Sequence, residues 1–181
     1  MRVGSRATAF RRFGSGADLA DDLAGLIGAL GMSRPAVFGW STGGEVGLLL
    51  AERHPEVLSS LVVAGATAGG SLTVPSTPAI ETCMQEVQHP DDSSRAQAQF
   101  VAAENHHNSG SPVDFARIRV PVLVTGGEVD LLVPVRNARV IARALGSKAR
   151  LVIDRGGAHA WFVQHLDRFV ATLDGFLAAV G

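Results

Sequence analysis

Short apolar runs alternate with amphipathic segments along most of the chain. The apolar runs have the length and continuity of strands buried on both faces of a parallel sheet, and they lie at residues 35–39, 60–64, 120–124 and 149–153. Around them, apolar residues recur at the three- and four-residue spacing of helices, which predicts helices over 18–31, 42–54, 134–145 and about 160–180. Strands that alternate with helices predict an α/β fold with a predominantly parallel sheet and flanking helices.

The segment 66–117 interrupts this alternation with glycines, prolines and scattered apolar residues. We expect one or two short helices there, forming a cap or insertion between the two halves of the sheet; a long surface loop is the alternative. The predicted organisation is an N-terminal arm over 1–17, followed by one domain over 18–181 that carries this insertion. Asp18 is the predicted N-cap of the first helix, and Gly31 is its predicted stop.

Composition and charge exclude several classes of protein. Lysine and arginine number 16 and acidic residues 17, so the net charge is -1, which is too small to gather nucleic acid or anionic lipid. Cys83 is the only cysteine, which excludes an intrachain disulfide and a cysteine-based zinc site. No apolar stretch approaches the roughly 20 residues of a membrane helix, and the first residues lack the apolar segment of a secretory signal. We therefore expect no nucleic-acid or membrane partner and a cytoplasmic location.

The segment Gly39-Trp40-Ser41-Thr42-Gly43 matches the G-x-S-x-G nucleophile elbow. The motif requires a strand before it and a helix after it, and both are predicted here. Because the turn is sharp, we expect Gly39 and Gly43 to remove side chains that would collide with neighbouring backbone. The Ser41 hydroxyl would then project at the C-terminal end of the sheet, where the first amides of the helix favour a developing oxyanion. The alternative is a glycine-rich turn with an incidental serine.

A serine nucleophile needs a base and an acid that orients the base. His159 follows the fourth predicted strand, and Asp130 follows the third, so both are expected at the same sheet edge as Ser41. Glu128 is the runner-up for the acid, and Asp154 is a weaker rival. The order serine, acid, histidine is that of one known triad arrangement.

The other histidines are predicted to have no catalytic role. His54 and His165 are expected at the surface, and His106 and His107 lie in the irregular insertion. Adjacent histidines rarely face one ion, so we predict no metal site. No cofactor is expected either.

The chain resembles the α/β-hydrolase fold superfamily, in its small esterase-like branch. The resemblance is carried by Gly39-Trp40-Ser41-Thr42-Gly43-Gly44-Glu45-Val46, Ala51-Glu52-Arg53-His54-Pro55, Gly127-Glu128-Val129-Asp130 and Gly156-Gly157-Ala158-His159-Ala160. It implies that Ser41 is the nucleophile, Asp130 the triad acid and His159 the base. It also implies that the Thr42 amide is an oxyanion donor and that 66–117 is a shortened cap over the pocket.

Members of this superfamily normally have several more strands before the helix at 18–31, and a His-Gly-type loop that gives a second oxyanion donor. Residues 1–17 provide at most one short strand or arm. We therefore expect an incomplete α/β-hydrolase fold of four strands, with strand 35–39 at or near an edge. That edge is a possible homodimer contact, because its amides and carbonyls would be unpaired. Loss of one oxyanion donor typically costs about 10²–10³ in turnover, so activity is expected to be weakened.

These features predict a serine hydrolase that acts on a small-molecule ester or acyl substrate through an acyl-enzyme. Trp40 and Trp161, each next to a predicted triad residue, are candidates for lining the acyl pocket, and plain packing is the alternative. A second hypothesis is a truncated hydrolase-like module, weakly active or inactive, that acts by association. Within the enzyme class, cofactor-free perhydrolase or lactonase chemistry would use the same triad.

Overall fold

The computed structural model describes residues 15–87 and 112–181 as strands that alternate with helices. In chain order the elements are α1 (Gly16–Ala29), β1 (Ala36–Trp40), α2 (Thr42–Arg53), β2 (Ser60–Ala64), α3 (Pro78–Val87), β3 (Val122–Gly127), α4 (Arg136–Leu145), β4 (Ala149–Asp154), α5 (Trp161–Gln164) and α6 (Leu166–Val180). Single 3₁₀ turns lie at Gly70–Leu72 and Gly146–Lys148.

The four strands form one parallel sheet in the order β1-β2-β3-β4. Trp40 pairs with Ala64, and Ala64 pairs with Thr125. Because all strands point the same way, their C-terminal ends meet at one edge, where ligand sites of open α/β sheets lie. The predicted α/β class with a parallel sheet and flanking helices is confirmed.

Helices cover both faces of the sheet. Alternate side chains of β2 and β3 face opposite layers, and those on one face pack with residues of α1, α2 and α4 in the larger core: Leu61, Val63, Val122 and Val124. On the other face, Val62 and Leu123 pack with Phe176 of α6. The continuous apolar runs of β2 and β3 follow from this double burial.

Strand β1 lies at one edge of the described sheet. The sequence predicts it as a buried strand, but Phe38 and Trp40 are 45% and 40% exposed. The expectation that this strand lies at an edge is confirmed for the described residues. Val37, which points to the opposite face, packs against the larger core.

Several element boundaries differ from the sequence prediction by one to three residues, and three differences concern a helix cap, a proline and a helix break. The first helix is capped by Ser15, whose Oγ accepts from the Asp18 amide at 3.3 Å, so the prediction of Asp18 as N-cap is wrong. β3 begins at Val122 because Pro121 has no N–H to donate; the Pro121 carbonyl accepts from Leu61. The final helix is divided at His165 into α5 and α6.

Part of the predicted cap is described. Residues 66–87 hold the 3₁₀ turn at Gly70–Leu72 and helix α3, while 88–111, with His106 and His107, lie outside the described residues. The buried Asn137 of α4 binds the main chain of this segment at Val74. Its Oδ1 accepts from the Val74 amide and its Nδ2 donates to the Val74 carbonyl, both at 2.8 Å. Residues 1–14 also lie outside the description, so the arm and the cap stay predictions.

Candidate active site

The chain turns from β1 into α2 at Ser41. Ser41 has φ 53° and ψ -124°, a left-handed conformation that costs a non-glycine residue about 1–3 kcal/mol. The turn is fixed on both sides, since the Ser41 amide donates to the Ala64 carbonyl at 2.9 Å and the Ser41 carbonyl accepts from Gly44 at 2.9 Å. A strained backbone held by its surroundings is typical of functional sites, and it places Ser41 at the C-terminal edge of the sheet.

Two glycines make room for this turn. A Cβ atom on Gly39 would lie 2.2 Å from the Gly43 carbonyl oxygen, and one on Gly44 would lie 2.7 Å from the Ala66 Cβ. The expectation for Gly39 is therefore confirmed. The expectation for Gly43 is wrong, because a Cβ there meets nothing within 4 Å; the close approach of α2 to the sheet falls one residue later, at Gly44.

Asp130 and His159 form a hydrogen-bonded pair. The Asp130 Oδ2 and the His159 Nδ1 are 2.8 Å apart, and the Asp130 side chain is 1% exposed. The other carboxylate oxygen accepts from the amides of Leu132 and Val133, both at 2.9 Å, which fixes its orientation. Because an ionised carboxylate only accepts, Nδ1 donates, and in the neutral ring Nε2 is left as an acceptor.

Gly65 connects this pair with Ser41. The Ser41 amide bonds to Ala64, the residue before Gly65, and a Cβ on Gly65 would lie 3.3 Å from the His159 ring and 3.4 Å from the Asp130 Oδ2. The structure thus brings Ser41, Asp130 and His159 to one edge around Gly65. Within the described residues no hydrogen bond joins the Ser41 hydroxyl to His159; such contacts often tighten only when substrate is bound.

The rival acids have other partners. Glu128 accepts from the Gly156 amide at 3.2 Å. The buried Asp154 pairs with His165 at 2.5 Å and with Arg168 at 3.2 Å. Sequence reasoning missed the Asp154–His165 pair; the only signal was Asp154 at the end of its strand.

The loop that carries His159 runs very close to the end of β3. A Cβ on Gly127 would lie 2.2 Å from the Gly157 carbonyl oxygen and 2.3 Å from that of Ala158. The Val129 amide also donates to the Gly157 carbonyl at 3.0 Å. The loop therefore reaches Gly65 only because residue 127 has no side chain.

The remaining predicted site residues lie in different surroundings. Thr42 is the first residue of α2, where helix amides have no acceptor within the helix. The Trp40 indole donates to the His159 carbonyl at 3.0 Å. Trp161 is 1% exposed and packs edge-on against Phe169 at 5.5 Å. Their roles toward an oxyanion or an acyl group stay predictions.

Residues 15–87 and 112–181 contain neither a metal-binding cluster nor a membrane-spanning helix. In that part of the chain no three His, Cys, Asp or Glu side chains are grouped so as to hold a metal ion. No helix there is both long and apolar enough to cross a membrane. The cytoplasmic location stays a prediction.

Comparison with known proteins places the chain in a family. No protein-family model matches it. It is 30% identical to RutD of Caulobacter sp. (strain K31), which is named as a candidate carbamate hydrolase. The alignment is 200 positions long and covers 90% of this chain and 72% of that protein. A solved hydrolase from Pseudomonas aeruginosa PA01 is 25% identical, with a TM-score of 0.65 over 90% of this chain and 72% of that one. The enol-lactonase from Burkholderia xenovorans LB400 shares the fold at 23% identity, with a TM-score of 0.68 over 94% and 75%. The chain is thus a hydrolase of α/β fold and belongs to the α/β-hydrolase family of the RutD proteins.

Proposed function

We propose that the protein is a serine hydrolase of small carboxylic esters, with Ser41 as nucleophile, His159 as general base and Asp130 as the acid that orients it. The observation that carries the proposal is the 2.8 Å contact between Asp130 Oδ2 and His159 Nδ1, located beside the strained turn at Ser41. Nucleophile, base and orienting group at one strand edge are the constituents of triad catalysis.

The reaction follows from these positions. As the Ser41 Oγ attacks the ester carbonyl, its proton passes to the His159 Nε2, and Asp130 stabilises the imidazolium that forms. The Thr42 amide, at the positive end of α2, donates to the developing oxyanion. Collapse of the tetrahedral intermediate transfers the proton from His159 to the leaving alcohol, and an acyl-enzyme remains. Water, deprotonated by His159, attacks the acyl carbon. The bond between the acyl carbon and the Ser41 Oγ then breaks, and His159 returns the proton to this oxygen as the acid leaves.

Carbamates are the second candidate substrate class, because RutD of Caulobacter is named as a candidate carbamate hydrolase at 30% identity. A carbamate presents the same carbonyl to Ser41, but donation from its nitrogen weakens the electrophile. The carbamoyl-enzyme would therefore be hydrolysed more slowly than an acetyl-enzyme. Lactonase or perhydrolase chemistry would begin with the same attack.

Paired substrates and matched variants test the proposal. p-Nitrophenyl acetate and p-nitrophenyl carbamate are compared on the wild type, Ser41→Ala, His159→Gln and Asp130→Asn, with the exposed Ser59→Ala as control. We expect Ser41→Ala and His159→Gln to lower kcat by at least about 10³-fold, and Asp130→Asn by up to about 10⁴-fold. Ser59→Ala should match the wild type. Turnover by Ser41→Ala at the wild-type rate would reject Ser41 as the nucleophile.

Association through β1 is a second proposal, favoured by the exposed Phe38 and Trp40 on this edge strand. The proposed partner is a second copy of the chain. Its β1 would pair antiparallel with β1 of the first copy, about a twofold axis. Sedimentation equilibrium should then give a dimer for the wild type and a monomer for Phe38→Arg. A monomeric wild type at high micromolar concentration would reject this contact.

A further inference from the structure

The loop that carries His159 crosses the ends of three strands. It leaves β4 at one edge of the described sheet, passes Gly127 at the end of β3, and places the His159 ring over Gly65 at the end of β2. Its far end reaches β1, where the Trp40 indole Nε1 donates to the His159 carbonyl oxygen at 3.0 Å. This bond joins the residue before Ser41 to the proposed base, across a sequence separation of 119 residues.

The indole ring also contacts the imidazole. The Trp40 and His159 ring centroids are 5.2 Å apart, with an angle of 44° between the rings. Trp40 also contacts Phe162, at 5.4 Å and 72°, and Phe162 contacts Phe38 at 5.5 Å. Trp40 therefore contacts both Phe162 of α5 and the ring of the proposed base.

Three carboxylates at the strand ends next to the His159 loop each have a partner in the described part of the chain. Asp130, from the loop after β3, bonds to Nδ1. Glu128 accepts from the Gly156 amide rather than from the ring, and Asp154 is engaged by His165 and Arg168. When the imidazole accepts a proton it becomes a cation, and an aromatic face within about 6 Å attracts a cation.

On the basis of the serine-hydrolase function proposed above, we infer that Trp40 is a positioning residue for His159. Its N–H holds the loop against the nucleophile elbow through the His159 carbonyl, and its ring stabilises the imidazolium that forms in the transition state. In this role Trp40 does not touch the substrate. This role differs from the sequence-based prediction that Trp40 lines an acyl pocket, in which case its loss would raise KM.

Two substitutions separate the contributions of Trp40. Trp40→Phe keeps an aromatic ring and removes the N–H donor, while Trp40→Leu removes both. The matched control is Phe38→Leu, on the same strand and in the same aromatic cluster but without a contact to His159 in the described structure. For each variant, kcat and KM are measured on p-nitrophenyl acetate, and amide hydrogen exchange is followed in the peptide over 155–161. Thermal unfolding shows which variants are folded.

We expect Trp40→Phe to lower kcat by about threefold to tenfold, the loss of one hydrogen bond. Trp40→Leu should lower kcat by a further twofold to fivefold as the ring is lost. KM should stay within about twofold of the wild type, and exchange in 155–161 should accelerate in both Trp40 variants. Phe38→Leu should leave kcat and the exchange of this peptide near the wild-type values.

Equal rates of amide hydrogen exchange over 155–161 in Trp40→Phe and Phe38→Leu would overturn the inference. A change in KM without a change in kcat in the Trp40 variants would also overturn it. If Trp40→Leu does not fold, Trp40→Phe decides alone. The proposed function fails separately, through wild-type turnover by Ser41→Ala. The exchange comparison needs no catalysis and still tests the contact with His159 in that event.

Discussion

Substitution of Gly127 tests whether the base-bearing loop depends on close contact with β3. A Cβ on Gly127 would lie 2.2 Å from the Gly157 carbonyl oxygen and 2.3 Å from that of Ala158. Ordinary contact is about 3.5 Å, so the main chain two residues before His159 must retreat by about 1 Å. Both atoms belong to the backbone, so no side-chain rotation relieves the collision.

Gly127→Ala should therefore reduce stability and activity together. Overpacking of this kind costs about 1–3 kcal/mol in the free energy of unfolding. A displacement of about 1 Å at the base can lower kcat by about 100-fold. Gly126→Ala is the matched control, because a Cβ there lies 3.4 Å from the nearest atom, the Ala138 Cβ, which is ordinary contact.

Urea unfolding and turnover of p-nitrophenyl acetate are measured on both variants. We expect the free energy of unfolding of Gly126→Ala to lie within about 1 kcal/mol of the wild-type value. This variant should also keep most of the wild-type turnover. If Gly127→Ala is as stable and as active as Gly126→Ala, the loop does not lie where the structure places it.

Two further predictions concern contacts outside the site. Hydrogen bonds from Arg53 and His54 lower the pKa of Asp21 from 3.8 to about 2. Because the pKa of Asp21 is lower in the folded than in the unfolded state, its ion pair adds to the free energy of unfolding above about pH 4. This stabilisation is lost as the pH falls through about 2. Asp21→Asn should flatten the pH dependence of urea unfolding over that range, by less than about 1 kcal/mol for so exposed a group; an unchanged pH profile would contradict this. Asn137→Ala leaves the amide and carbonyl of Val74 without their partner. It should therefore lower the free energy of unfolding, measured with urea, by about 1–3 kcal/mol. Substitution of the exposed Arg139 by alanine should lower the free energy of unfolding much less. Equal losses of stability in the two variants would contradict a specific role of Asn137.

The central strands β2 and β3 could be predicted because they are apolar on both faces. β2 was predicted at its observed bounds, and all of its residues are buried. The cap of α1 could not be assigned in this way, because Ser15 and Asp18 are both favoured capping residues, and the two side chains also bond to each other at 3.0 Å. The break at His165 carried no signal in the amphipathic pattern, since apolar residues recur through both α5 and α6.

For the candidate site, the sequence indicated residue types and strand ends but not contacts between distant segments. Asp130 was preferred to Glu128 by position, and it is Asp130 that bonds to His159. The hydrogen bond of Trp40 to His159 and the approach of Gly157 to Gly127 depend on how the loop crosses the sheet, which no local pattern encodes.

Intact-protein mass spectrometry after treatment with a fluorophosphonate shows whether Ser41 is the activated nucleophile, because the probe bonds only to a serine activated by a neighbouring base. We expect one adduct per chain, mapped to Ser41 by peptide sequencing, and none in Ser41→Ala. Labelling of His159→Gln should be slower by about 10³-fold. An unmodified wild type, or an adduct on another residue that persists in Ser41→Ala, would show that Ser41 is not the activated nucleophile.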